Sequence, residues 1–165
     1  MGSDANQLVI TGSRKWSDAA RIAKYLDIEH RNRPIACLYS GGAEGADRLC
    51  EAWARQNQVP LHIEALTAED WARYGPGAGS IRNGALLKAA QERGGPVRVI
   101  GFWLEDIKQS PGTFDMLKKA LTRHVPAFVV PAEEKPYRFT RDHAHWFAGG
   151  SQGPRPEEMN LFAGM

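Results

Sequence analysis

Residues 35–47 read I-A-C-L-Y-S-G-G-A-E-G-A-D, and this stretch decides the fold. The apolar run 35–39 reads as a buried strand, and it passes without a spacer into Ser40, Gly41 and Gly42. A helix carrying Leu49, Trp53 and Ala54 follows at once. A strand that ends in glycines and hands over to a helix is half of a strand–helix–strand unit, the building block of a parallel sheet.

The same grammar recurs on both sides. Upstream, residues 7–11 form an apolar strand ending in Gly12, Ser13 and Arg14. Ser17 is the expected N-cap of the next helix, whose inner face is Ile22, Tyr25, Leu26 and Ile28 and which Pro34 closes. Downstream, residues 61–66 form a third and less apolar strand, and residues 71–79 a glycine-rich loop. A helix starting at Ser80 or Ile81 then runs through Leu86, Leu87 and Ala90. Residues 97–104 are a fourth strand, and the turn from Ser110 to Thr113 opens a helix with Met116, Leu117, Ala120 and Leu121. Residues 127–130 are a fifth strand. The expected class is α/β: a doubly wound, Rossmann-like parallel sheet of about five strands with helices on both faces. Residues 1–131 make one nucleotide-binding domain. Residues 132–165 are a polar extension dotted with aromatics (Tyr137, Phe139, Phe162), either packed on the domain or partly disordered.

Composition narrows the partners. A net charge of +2 over 165 residues gives no field that would pull the chain onto duplex nucleic acid or a membrane. No apolar run approaches the length of a bilayer span, and the first four residues lack the pattern of a secretory signal. A cytoplasmic protein is therefore expected, with Cys37 and Cys50 as small buried hydrophobes rather than a disulfide. No cofactor and no metal site is expected. Asp142, His143 and His145 alone do not make one without further ligands nearby.

Three glycine-bearing loops fall at strand-to-helix junctions: Gly12 to Arg14, Gly41 to Asp47, and Pro111 to Thr113. Ligands of parallel sheets sit beyond the carboxyl ends of the strands, where glycine lets the backbone approach an anion and a helix N-terminus offers free N–H groups. Ser13, Ser40 and Thr113 add hydroxyls, while Arg14 and Arg82 add fork-shaped donors. None of the loops matches a Walker A or a strict G-x-G-x-x-G pattern, which disfavours an ordinary ATPase or NAD dehydrogenase.

Taken in order, several short motifs resemble the YspA/YpsA-related branch of the SLOG superfamily. They are Gly12-Ser13-Arg14 with Trp16, then Gly41-Gly42-Ala43-Glu44-Gly45-Ala46-Asp47, then Tyr74-Gly75 ahead of Arg82-Asn83, then Gly112-Thr113-Phe114-Asp115. That superfamily includes the cytokinin-activating phosphoribohydrolases and the DNA-processing protein DprA. The resemblance spans residues 8–130 and implies a nucleotide-binding domain that is often a homodimer. Its hydrolases take a carboxylate from a G-G-x-G-T-x-x-E motif and an arginine from an R-K-x-x-M helix. Arg82 matches that arginine, with Asn83 and Leu86 in the other two places, but the glutamate position falls on Met116. Asp115 is one residue early, about 100° around the helix. Asp47 or Glu44 would have to substitute.

Three functions follow from these residues. The first is binding, by sensing or sequestration, of a phosphorylated nucleotide-derived small molecule. The second is N-glycosidic hydrolysis of a nucleoside 5′-monophosphate by Arg82 with Asp47 or Asp115. The third is a DprA-like single-stranded DNA or protein-partner module, against which the absence of a basic, aromatic-interleaved stripe counts. In the first, phosphate lies over the Gly41 to Asp47 loop and Gly112, and Trp16 and Tyr74 either stack on a base or cap the core. Trp53 and Trp103 are packing residues. Residues 158–162, E-M-N-L-F, resemble short peptides that dock on bacterial sliding clamps, although the aromatic tail is expected to pack on its own domain or a neighbouring subunit.

Overall fold

The computed structural model describes residues 5–104 and 110–148. It contains a six-stranded sheet of order β3-β2-β1-β4-β5-β6, in which the first five strands are parallel. These are β1 (Asn6–Gly12), β2 (Ile35–Ser40), β3 (Leu61–Ile63), β4 (Val97–Trp103) and β5 (Ala127–Pro131). The sixth, β6 (Tyr137–Arg138), runs antiparallel to β5. The helices are α1 (Ala19–Asn32), α2 (Ala46–Gln56), α3 (Ala68–Tyr74), α4 (Ala78–Glu92), α5 (Pro111–Thr122) and α6 (Arg141–Ala148).

Both faces of the sheet are covered, and the strand residues sort by the period of two that a pleated strand imposes. Leu8 and Ile10 of β1, with Ile100 and Phe102 of β4, pack under Ile22 and Leu26 of α1 and Cys50 and Trp53 of α2. Val9 and Val99 face the other way, onto Leu86, Leu87 and Ala90 of α4 and Met116, Leu117 and Ala120 of α5. Cys37 and Cys50 belong to opposite layers and are free, buried thiols. Trp53 and Trp103 are core residues on either side. The segment after Pro131 joins the same core, with Tyr137 and Phe139 buried and His143 packed against both rings. The clamp-like residues 158–162 lie outside the described residues. Among the described residues no helix is long and apolar enough to cross a membrane.

The structure corrects several local expectations. Asp18, not Ser17, caps α1: its carboxylate accepts the Arg21 N–H at 3.0 Å. The third strand stops at Ile63 rather than 66. Residues 71–79 are not a loop. Thr67 and Asp70 form a capping box, with Thr67 Oγ1 accepting the Asp70 N–H and the Asp70 carboxylate accepting the Thr67 N–H, and this starts α3. Only Gly75, at φ +58°, breaks the helical path, so α4 begins already at Ala78.

One buried ion pair ties the layers together at the end of the sheet where β1 begins. Arg98 Nε and Nη2 of β4 donate to the Glu29 carboxylate of α1 at 2.6 and 3.1 Å, and Asn6 Nδ2 donates to the same carboxylate at 2.9 Å. The Arg98 guanidinium also lies 4.2 Å from the centre of the Phe128 ring. Removing one partner leaves a charge buried without its counter-ion, so Glu29→Ala is expected to cost about 3–5 kcal/mol of stability. Chemical denaturation of the two proteins side by side measures it, and a loss below about 1 kcal/mol would contradict this account.

Candidate functional site

Strands β1 and β4 lie side by side, yet the chain leaves β1 for α1 on one face and leaves β4 for α5 on the other. Their carboxyl ends therefore diverge, which is where an open α/β sheet leaves room for a ligand. A cleft of about 500 Å³ opens at this point, and it draws on all three glycine-bearing loops.

The cleft is assembled by close backbone approach. A Cβ on Gly12 would sit 2.5 Å from the Ala46 Cβ and 2.7 Å from the Phe102 carbonyl oxygen. Gly45, at φ +78°, faces the carbonyls of Ser13 and Arg14, where any side chain would collide. The Ala46 N–H then donates to the Ser13 carbonyl at 3.1 Å, fixing the start of α2 against the end of β1. Across the cleft the Ser13 hydroxyl pairs with that of Ser110 at 2.8 Å and accepts the Leu104 N–H at 3.0 Å. Ser13 thus braces the two strand ends. Neither α2 nor α5 has a side-chain N-cap, and Asp47, Gly112 and Thr113 in their first turns line the cleft.

Arg82 and Asn83 reach the cleft from α4. Arg82 Nη1 donates to the Gly41 carbonyl at 2.7 Å and to the Glu64 carbonyl at 3.4 Å. Gly41 must lack a side chain for this, because a Cβ would lie 2.6 Å from the guanidinium carbon. Burial pulls the Arg82 guanidinium below its usual range, Asp47 partly offsets this, and Arg14 adds to it. Asn83 Nδ2 donates to the Gly112 carbonyl and to the Asp115 carboxylate, each at 3.0 Å, while its Oδ1 accepts from Arg82 Nε at 3.2 Å. A polar chain thereby links α4, the glycine loop after β2 and the start of α5.

The two candidate carboxylates part company here. Asp115 is not at the cleft surface: it accepts from Ser80, Asn83 and Lys119, and these donors, with the Lys119 charge, outweigh burial and hold its carboxyl below the usual range. It fastens α5 to α4. Asp47 is 5% exposed and lines the cleft. Its Oδ2 accepts the Ala43 N–H at 3.2 Å, but its Oδ1 is buried with no hydrogen-bond partner among the described residues. Burial pushes this carboxyl up to about 6, against weaker pulls from the Ala43 N–H and from Arg82.

The remaining expected residues scatter. Arg14 is exposed on the cleft wall, with Lys15 beside it. Sequence reasoning passed over Lys15, as it did Thr11 and Ser110, although Lys15 shares the loop of Arg14. Ala43 lines the cleft, whereas Gly42 (φ +68°) only turns the chain and Glu44 points to solvent. The Ser40 hydroxyl is engaged within the protein: it donates to Glu51 at 2.5 Å and accepts the Gly42 N–H. Trp16 is a core side chain, edge-on to Phe102 at 5.6 Å, with its indole N–H on the Asp18 carbonyl. Tyr74 is 40% exposed and belongs to a second hollow with Ile63 and Ile81, separated from the first by Arg82, which lines both. Met116, at the position of the hydrolases' glutamate, is fully buried in the core. Among the described residues no group of three or more His, Cys, Asp or Glu side chains is placed to hold a metal ion.

The profile of the YspA, cpYpsA-related SLOG family (YAcAr) matches residues 6–74. The match thus takes in β1, the Gly41 to Asp47 loop and α3, and stops short of Arg82 and the loop before α5. The "Gene 61 protein" of Mycobacterium phage D29 is 34% identical over 90 residues, which are 52% of this chain and 71% of the phage protein. No solved structure matches the chain.

The strained carboxyl of Asp47 has a measurable signature. The folded protein keeps its proton up to about pH 6, whereas the unfolded chain releases it near the ordinary value of about 4. Asp47 therefore adds no penalty below about pH 4, and it makes stability fall as the pH rises from there to about 6. Asp47→Asn, of the same shape and neutral, is expected to melt higher than the wild type at pH 7 by an equivalent on the order of 1–3 kcal/mol, and to match it at pH 4. Thermal melts across pH 4–8 test this; equal melting at pH 7 would contradict it.

Proposed function

The chain belongs to the YspA, cpYpsA-related SLOG family, and on that premise we propose that it binds a phosphorylated, nucleotide-derived small molecule in the β1–β4 cleft, as a sensor or store of that molecule. One observation carries the reading. Arg14, Lys15 and Arg82 converge with the uncapped first turns of α2 and α5 on a single cleft, and Asp47 is the one carboxylate among the described residues lining it. Three cations and two helix N-termini around a concave surface suit a phosphate of charge near −2. Gly112, exposed at the start of α5, lines the same cleft.

The hydrolytic alternative is less well supported by the same surface. Cleavage of an N-glycosidic bond needs a carboxylate beside the sugar to stabilise developing positive charge or to position water. The start of α5 offers none, since Met116 is in the core and Asp115 is held by Lys119, so hydrolysis would rest on Asp47, the one carboxylate among the described residues lining the cleft. Binding with the ligand left intact is the function that the residues at hand best serve.

Thermal melts and calorimetry with nucleoside mono- and diphosphates and nucleoside diphosphate sugars test the proposal. A ligand at a hundred times its Kd stabilises the folded chain by about 2.7 kcal/mol. Arg14 is exposed on the cleft wall, so Arg14→Ala is expected to leave the fold intact while weakening such a ligand roughly 10–100-fold, the worth of one charged hydrogen bond. No shift with any compound, or equal affinity in Arg14→Ala, would overturn the placement.

A further inference from the structure

In a cleft lined by cations, amide groups and hydroxyls, one buried acceptor stands out. Arg14, Lys15, Arg82, Asn83 and the first turn of α5 all present N–H groups or positive charge. Among the described residues lining it, Asp47 alone presents a carboxylate, and its Oδ1 is buried with no hydrogen-bond partner among the described residues. The Ala43 N–H is already used by Oδ2, and the Gly41 N–H acts on the carboxyl only from outside hydrogen-bonding geometry. A buried acceptor left empty costs stability, and it is completed most directly by a donor that arrives with the ligand.

The surroundings say what kind of donor. An ammonium group at this point would face Arg82, which interacts with both Asp47 and Arg14, so a cation is opposed from two sides. A neutral donor meets no such opposition. It must also lie within one cleft of about 500 Å³ of an anion seated at the start of α5. A sugar hydroxyl a few bonds from a phosphate satisfies both conditions, and its bond to a carboxylate is of the strong, charge-assisted kind.

Building on the phosphate placement above, we infer that Asp47 Oδ1 accepts a hydroxyl of the ligand's sugar, so that the cleft selects ribose-bearing phosphates over counterparts lacking the ring hydroxyls. Asp47 is then the residue that sets sugar specificity, while Arg14, Lys15 and the helix N-termini hold the phosphate irrespective of the sugar.

Calorimetry at pH 7.5 with the four ribonucleoside 5′-monophosphates and their 2′,3′-dideoxy counterparts tests the assignment. For the ribonucleotide that binds most tightly, loss of the hydroxyls is expected to weaken the wild type by about 10-fold or more. In Asp47→Ala that ratio falls towards one, and the dideoxy compound binds as tightly as before or tighter, since a negative charge has left the cleft. Asp47→Asn, which keeps an acceptor oxygen without the charge, gives an intermediate ratio and guards against a folding defect in the alanine variant. A wild-type ratio near one, or an undiminished ratio in Asp47→Ala, overturns the hydroxyl contact while leaving phosphate binding standing. Binding of none of the eight compounds overturns the inference together with nucleoside monophosphates as the ligand class.

Discussion

The backbone at the end of β1 and the first turn of α2 are in direct contact, and the cleft is laid out from that contact. Gly12 lets Ala46 approach, Gly45 lets the carbonyls of Ser13 and Arg14 pass, and the Ala46 N–H on the Ser13 carbonyl holds the two together. With this joint closed, the α2 N-terminus comes to the cleft, and Asp47 is placed under it rather than in solvent. The Ser13 hydroxyl, turned the other way, then sets the position of β4's end and of Ser110. A side chain at either glycine would separate these parts at their origin.

The electrostatics are uneven by construction. The far end of the sheet holds its charges in a closed pair, Glu29 with Arg98, joined by two hydrogen bonds. The cleft end leaves cations exposed and one carboxyl buried without full solvation. An unbalanced site costs stability that the balanced end and the two apolar layers must supply. Asp115 shows the contrast within a single region: with three donors around it, its carboxyl is depressed, while that of Asp47, which lines the cleft, is raised.

The layered sheet was legible because apolar runs and glycine punctuation alternate along the chain, and each strand-end glycine loop marked a corner of the cleft. What escaped the sequence depended on single conformations or on tertiary direction. Helix α3 was hidden behind four closely spaced residues, Gly75, Pro76, Gly77 and Gly79, of which only Gly75 leaves the helical region. Strand β6 has two residues, too few for any periodicity, and exists because β5 offers an edge. Trp16 follows the Gly12 to Arg14 loop in sequence but turns inward onto Phe102, and Tyr74 comes to rest in the neighbouring hollow. The role of Asp115 was foreshadowed by Lys119 four residues on, a spacing that pairs charges on one helix face.

The joint between β1 and α2 also decides how such a cleft is able to diverge. Every single-base change that alters Gly12 or Gly45 introduces a side chain where there is no room for one, so the frame is closed to gradual variation. Arg14 and Lys15, a few residues away, are exposed on the cleft wall, where a change of side chain leaves that frame undisturbed. A descendant of this chain would therefore keep the shape of its pocket while trading what the pocket accepts. New chemistry would enter through the rim, and the floor would pass unaltered from one ligand to the next.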